Sequence, residues 1–172
     1  MGDAGLTVCC DAQTPFEDAA RVFGPQKGAD PAAIERLTKR LAGQADSLPR
    51  DPTGLRMTGA AGGLAGGLWA TYGAQLVGGA GFVLDALDAD RRMRASRAVV
   101  VGEGRLDRTT LEGKAVGELA VRARQAGVPA HAVVGEDSLD LLDRRILDLH
   151  AVIEAGDRKE LRAAGRALAE YL

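Results

Sequence analysis

Only two cysteines occur in this 172-residue chain, and they are neighbours, Cys9 and Cys10. Adjacent cysteines bridge one another only with strain, so a disulfide framework is excluded. The two histidines, His131 and His150, stand apart in apolar runs. That rules out a cysteine–histidine zinc site and reads as two isolated histidines with satisfied partners in strands or core. Aromatic residues make up only 3%, so the interior has to pack through Ala, Leu and Val, with close backbone approach at the 23 glycines. Charge is nearly balanced, 22 basic against 24 acidic residues, which leaves no basic field for nucleic acid or anionic lipid. The arginines of Asp88 to Arg97 are interleaved with acids and read as a solvated face. No cationic stretch followed by an apolar one opens the sequence, so secretion is not expected and the cytoplasm is the default location. The uncharged run Met57 to Leu84 is long enough to cross a bilayer. Its nine glycines, with Thr71, Tyr72 and Gln75, leave too few large apolar residues for insertion. Gly73 and Gly78-Gly79 should break it into two helices, and no membrane span is expected.

A chain of this length makes one domain or two small ones. Leu6 to Cys10 predicts a short strand that delivers Asp11 to its end. Glu17 to Phe23 predicts a brief helical piece leading into the loop Gly24-Pro25-Gln26-Lys27-Gly28. Asp30 followed by Pro31 is a strong helix start, and Ile34, Leu37, Leu41 and Ala45 mark one face of a helix ending near Gln44. Residues 47 to 56 read as a loop, Ala60 to Tyr72 as a helix of small residues, and Ala80 to Leu87 as another. From Ala98 the pattern becomes alternating strand and helix. Ala98–Val101, Ala130–Val134 and Leu149–Ile153 are short apolar runs, with Gly127 and Pro129 stopping the intervening helix. Asp157 and Glu160 form a capping-box-like pair ahead of Leu161, Ala164 and Leu168. The last 75 or so residues thus form half of a doubly wound sheet.

The run Gly102-Glu103-Gly104-Arg105-Leu106-Asp107 carries the most chemistry. It follows an apolar strand and precedes Thr109 to Lys114, which opens a helix, and open α/β sheets place ligands at such strand ends. Two acids there can hold a divalent cation or accept a proton, and an arginine can neutralise a phosphate. Lys27, in a glycine-proline loop just before a helix start, suits an anion; a turn with a solvated lysine looks the same. Gly59 to Gly67 resembles a phosphate-cradling loop but lacks the Lys-Ser/Thr ending of a P-loop. Close helix packing is the better reading for Gly63 and Gly67, and backbone contact with a ligand for Gly59 and Gly62.

Several of these segments, in this order, resemble the bacterial type I glycerate kinase family. Cys10-Asp11 followed by Pro15 resembles its Cys-Asp-Val-x-Asn-Pro-Leu, with Thr14 in place of Asn and Phe16 in place of Leu. Val22-Phe23-Gly24-Pro25-Gln26-Lys27-Gly28-Ala29 is similar almost letter for letter. Gly59-Ala60-Ala61-Gly62-Gly63-Leu64, Gly102 to Asp107, and Gly113-Lys114-Ala115 complete the series. The family's opening segment, resembling Asp-Ser-Phe-Lys-Gly-Ser, has no counterpart, so the chain resembles the second, C-terminal half of such an enzyme.

The resemblance implies an α/β fold, a three-layer and mostly parallel sheet with flanking helices. Residues 1–95 would be part of the family's inserted domain and residues 96–172 the returning half of its nucleotide-fold domain. It implies transfer of the γ-phosphoryl group of ATP to glycerate with magnesium. Asp107 falls to metal or general base, Asp11 to the alternative base, and Glu103 to metal or loop support. Arg105 falls to phosphate or the glycerate carboxylate, while Lys27, Gly59, Gly62, Gly102, Gly104 and Lys114 line phosphate or substrate. A companion chain supplying the absent half, or self-association, is expected to cover the exposed sheet edge. The alternative is a non-catalytic remnant that binds an anionic or phosphorylated ligand, or a partner protein.

Overall fold

Residues 4–171 are described by the structure, a computed structural model, the side chain of Glu112 aside. The chain divides between Phe82 and Val83 into two compact units. Every strand pairing in both is parallel, and with the flanking helices this makes an α/β protein.

In the first unit, β1 (Thr7–Cys10) is followed by α1 (Ala19–Phe23) and α2 (Pro31–Ser47). Asp30 caps α2 by accepting the Ala33 N–H at 2.7 Å, with Pro31 in the first turn. The helix runs a turn past Gln44. Its end falls just before Leu48-Pro49, where proline forces the preceding residue into the extended conformation that Leu48 adopts. Leu41 and Ala45 are buried against Phe16, Ala19 and Ala20, whereas Leu37 is exposed, so the buried stripe is narrower than the apolar spacing suggests.

The stretch from Ala60 departs from the expected helix. Helix α3 (Leu64–Tyr72) begins only at Leu64, because Ala61 (φ 52°), Gly62 (φ 71°) and Gly63 (φ 98°) are all left-handed. The buried Thr58 anchors this turn: its hydroxyl donates to Leu55 O at 2.6 Å and accepts the Phe16 N–H at 2.9 Å. The Phe16 ring lies so close to Gly63 and Gly66 that a Cβ on either would stand 2.8 or 2.7 Å from it. Gly66 thus does the packing that spacing assigned to Gly67, which faces open space. Gly59 is equally constrained, since a Cβ there would lie 2.3 Å from Pro15 O. Strand β2 (Gln75–Gly78), absent from the sequence reading, then pairs with β1, Thr7 opposite Gln75 and Cys10 opposite Gly78. Helix α4 (Gly79–Ala86) carries the chain across the division.

In the second unit come α5 (Ala89–Arg94), β3 (Val99–Leu106), α6 (Ala115–Gln125), β4 (Ala130–Asp137), α7 (Leu141–Leu147), β5 (Leu149–Glu154) and α8 (Arg158–Leu168). The sheet order is β3-β4-β5. Val101, Leu106, Val116, Ala120, Ala132, Val134 and Leu147 form its main core. Gly127, with φ 70°, stops α6, and Asp157 caps α8 through the Glu160 N–H at 2.8 Å.

Two expectations need correcting here. Strand β3 does not end at Val101 but continues through the Gly-Glu-Gly-Arg run, because β4 also extends and pairs Arg105 with Glu136 and Leu106 with Asp137. The arginines from Asp88 to Arg97 are exposed, as their spacing suggests, while the same segment forms α5, whose Ala89 and Met93 are buried against Ala123 and Ala130. Arg122 ties this corner together, meeting Asp85 at 2.5 Å, Glu118 at 2.8 Å and Asp90 at 3.3 Å. The histidines are not isolated, and His131 is not satisfied. His131 is 1% exposed, its ring 5.9 Å from that of His150 and 5.5 Å from Tyr171. Neither of its ring nitrogens has a hydrogen-bond partner among the described residues. Burial, reinforced by His150, pushes its pKa down and keeps the ring neutral. Among the described residues no helix is long and apolar enough to cross a membrane.

Gly59→Ala should destabilise the protein by about 1–3 kcal/mol, because the new methyl has only rigid backbone to push against. Gly67→Ala, whose methyl meets nothing within 4 Å, should be neutral or stabilising. Denaturant unfolding of the two variants checks the contrast.

Candidate functional site

The carboxyl end of β3 gathers an unusual set of charges. After Leu106 the chain turns sharply into a 3-10 segment, Arg108–Glu112, which Asp107 caps. Its Oδ1 accepts the Thr109 N–H at 2.9 Å and the Thr109 hydroxyl at 2.5 Å. The Thr110 side chain turns inward and is fully buried. Its Oγ1 accepts the Asp107 N–H at 3.3 Å and donates to Glu103 Oε1 at 2.7 Å. Gly113, with φ 100°, reverses the chain so that Lys114 opens α6. The Lys114 ammonium then stands 3.9 Å from both Glu103 Oε2 and Asp107 Oδ1.

Electrostatics follow from that geometry. The Asp107 carboxyl is held below the usual carboxylate range, first by the Thr109 hydroxyl, then by the Thr109 amide and the positive charges of Lys114 and Arg105. Arg105 lies across the ladder from Glu136, with Nη2 3.4 Å from Glu136 Oε1 and Nε donating to Ser138 Oγ at 3.3 Å. Among the described residues no group of three or more His, Cys, Asp or Glu side chains is gathered closely enough to hold a metal by itself. Glu103 and Asp107 are nonetheless two carboxylates converging on one cation, and magnesium commonly takes one or two carboxylates with phosphate oxygens filling the rest. The donor set fits that ion.

In the first unit, Asp11 follows the last residue of β1 and is exposed. Lys27 ends a short 3-10 turn, Pro25–Lys27, closed by Gly28 at φ 81°. Lys27 and Gly62 line the same cavity, of about 360 Å³, together with Arg40 of α2. A Cβ on Gly62 would meet nothing within 4 Å, whereas Gly59 is packed against backbone. In the second unit, Gly104 faces open space and Gly102 presses on Val133 O. The structure therefore brings Glu103, Arg105, Asp107 and Lys114 into one group, and Lys27 and Gly62 into another.

Sequence reasoning missed Thr109, Thr110 and Arg40. A capping signal after Asp107 was legible, since Asp-x-Thr is a local cap pattern. The inward turn of Thr110 toward Glu103, seven residues earlier, depends on β3 running on to Leu106.

Comparison with known proteins places these features in a family. The sequence pattern of the Glycerate kinase family matches residues 1–169. A glycerate kinase of Halalkalibacterium halodurans is 34% identical over 172 residues, covering 88% of this chain and 45% of that protein. The glycerate 2-kinase of Escherichia coli K12 is 33% identical over 142 residues, covering 78% and 37%. A crystal structure described as glycerate kinase 2 from Salmonella typhimurium LT2 superposes with a TM-score of 0.61 at 31% identity, over 98% of this chain and 50% of that one. The chain thus spans about half the length of the relatives it matches.

A depressed carboxyl pKa adds stability above the unfolded value, near 4, that is lost as pH falls through the folded value. Acidification below about pH 4 should therefore weaken the wild-type fold more than that of Asp107→Asn. Unfolding midpoints measured between neutral and acid pH show the difference, and superimposable pH profiles would contradict it.

Proposed function

The chain belongs to the glycerate kinase family, and we propose that it carries part of the catalytic apparatus for passing the γ-phosphoryl group of ATP to a hydroxyl of glycerate. The observation that carries this reading is the convergence of Glu103 and Asp107 on one cation at the carboxyl end of a parallel strand. Phosphoryl transfer needs little covalent help from a protein; it needs positioned positive charge and a carboxylate near the attacking hydroxyl. Bound magnesium would supply charge neutralisation at the phosphates, and Glu103 and Asp107 would hold it. Lys114, between them, suits the same phosphates, and Arg105 a phosphate or the glycerate carboxylate.

A carboxyl with a depressed pKa holds a cation well and accepts a proton poorly. This suits Asp107 to the cation; Asp11, exposed after the end of β1, keeps the place of alternative base that the family reading gives it. Lys27 and Gly62, sharing one cavity, suit a phosphorylated ligand, and Gly104 leaves room for close approach at the β3 end. Gly59 and Gly102 act by letting backbone segments pack beside these positions.

Residues 1–95 correspond, in this reading, to part of the family's inserted domain, and residues 96–172 to the returning half of the nucleotide-fold domain, in a cytoplasmic enzyme. Catalysis then requires the other half of the family fold, supplied by a companion chain or by self-association. Strand β3 supports this: it lies at the edge of its sheet, and Val100 on it is 51% exposed. A second reading is a non-catalytic remnant that binds an anionic ligand or a partner, favoured by the two cations, Lys27 and Arg40, that border one cavity.

ADP release from ATP with D-glycerate and magnesium separates them. With the other half of the family fold present, turnover should appear and fall at least a hundredfold in Asp107→Asn, in line with loss of a metal-holding carboxylate. No turnover with or without that half would sink the kinase reading.

A further inference from the structure

The function proposed above makes no use of the two histidines. His131 is 1% exposed, and neither of its ring nitrogens has a hydrogen-bond partner among the described residues. A buried polar group left unpaired is costly, so such a group implies a partner. The backbone brings a second imidazole beside it. Strands β4 and β5 pair at Ala130 and Leu149, but His131 then stands opposite Ala151, which leaves His150 as an extra residue on β5. Irregularities of this kind re-aim a side chain. The His150 ring lies 5.9 Å from that of His131, with 79° between their planes. Two imidazoles sharing one ion through bonds of about 2.0–2.1 Å have ring centres roughly 5–6.5 Å apart. Burial and the neighbouring His150 keep the His131 ring neutral, the form that ligates a metal. Tyr171, beyond α8, brings its ring to 5.5 Å from His131 and is itself exposed. His150 is exposed too, and lines a hollow of about 250 Å³ with Asp148 and Arg124. Arg124 donates to Ile146 O at 3.0 Å, while the Asp148 carboxylate gives the hollow a charge that favours an incoming cation.

We propose that His131 and His150 together bind a divalent transition-metal ion that favours imidazole, of the zinc, nickel or copper kind, with water in the remaining positions. Imidazole suits these ions, whereas magnesium seeks carboxylate and phosphate oxygens. Two protein ligands make a weaker site than a four-ligand structural zinc centre, so the ion exchanges with solution. The site lies near the amino ends of β4 and β5, whereas Asp107 follows the carboxyl end of β3. It is therefore separate from the candidate phosphoryl-transfer site and does not rest on the kinase reading.

Titration calorimetry of the full chain with Zn²⁺ tests the site, in a Cys9→Ser background that removes the exposed thiol as a rival ligand. Zinc should bind, and His131→Val and His150→Val should each weaken it by at least about tenfold. An excess of Mg²⁺ should not displace it. Valine is a good strand former, and far-UV circular dichroism checks that the variants fold. A second measurement needs no histidine variant. The chain has only two histidines, and both sets of imidazole ring resonances should shift together as Zn²⁺ is added. Absence of zinc binding, affinity unchanged in both valine variants, or displacement by Mg²⁺ would each overturn the proposal. Ring resonances that stay in place at saturating zinc would do the same.

Discussion

The second unit's chemistry depends on one buried hydroxyl. Thr110 is fully enclosed, yet its Oγ1 accepts the Asp107 N–H and donates to Glu103. A buried hydroxyl without partners costs on the order of 1–3 kcal/mol, so the turn is stable only when both neighbours are in place. Gly117 completes the arrangement, because a Cβ there would stand 2.2 Å from Thr110 O. Helix α6 can therefore sit directly on the turn, and Lys114, one residue before it, is delivered to the two carboxylates.

The charges themselves contribute little to folding. The Lys114, Asp107 and Glu103 side chains are 42%, 30% and 16% exposed, and the ammonium stands 3.9 Å from each carboxylate. Ion pairs of that kind are worth about 0–1 kcal/mol. Two carboxylates directed at one point repel each other, and the Lys114 ammonium between them offsets that repulsion. Contrast Arg122, only 13% exposed, with three carboxylates at 2.5 to 3.3 Å joining α4, α5 and α6. One cluster holds helices together; the other leaves two carboxylates sharing a single, half-exposed ammonium.

What the sequence disclosed was mostly local. The Asp30-Pro31 start of α2, the stop at Gly127 and the Asp157 cap rest on residues within four positions of each other, and the structure contains all three. What escaped was non-local. Strand β2 is four residues long and forms because β1, far earlier in the chain, offers a parallel partner. Glycine and charged residues are poor strand formers, so the Gly102–Arg105 run read as a loop until β4 extended to pair with it. The small-residue periodicity from Ala60 suggested a helix, but Phe16, packed on Gly63 and Gly66, and the Thr58 anchor favour a left-handed turn. At the site the same division holds. The acids and the lysine were visible as letters, while their convergence depended on where β3 ends.

Parallel sheets are normally covered on both faces and seldom small. Here one has two strands and the other three, and a two-stranded sheet is at best marginal by itself. β3, the strand that bears Glu103 and leads to Asp107, is also an edge strand, with Val100 half exposed on it. Whatever pairs with that edge must approach the strand that ends in the candidate site. A group paired with that edge would also exclude water from the carboxylates, which strengthens charge interactions there. The free edge of β3 and the two acids toward its carboxyl end thus belong to one strand, placed by its pairing with β4 and by where that pairing stops.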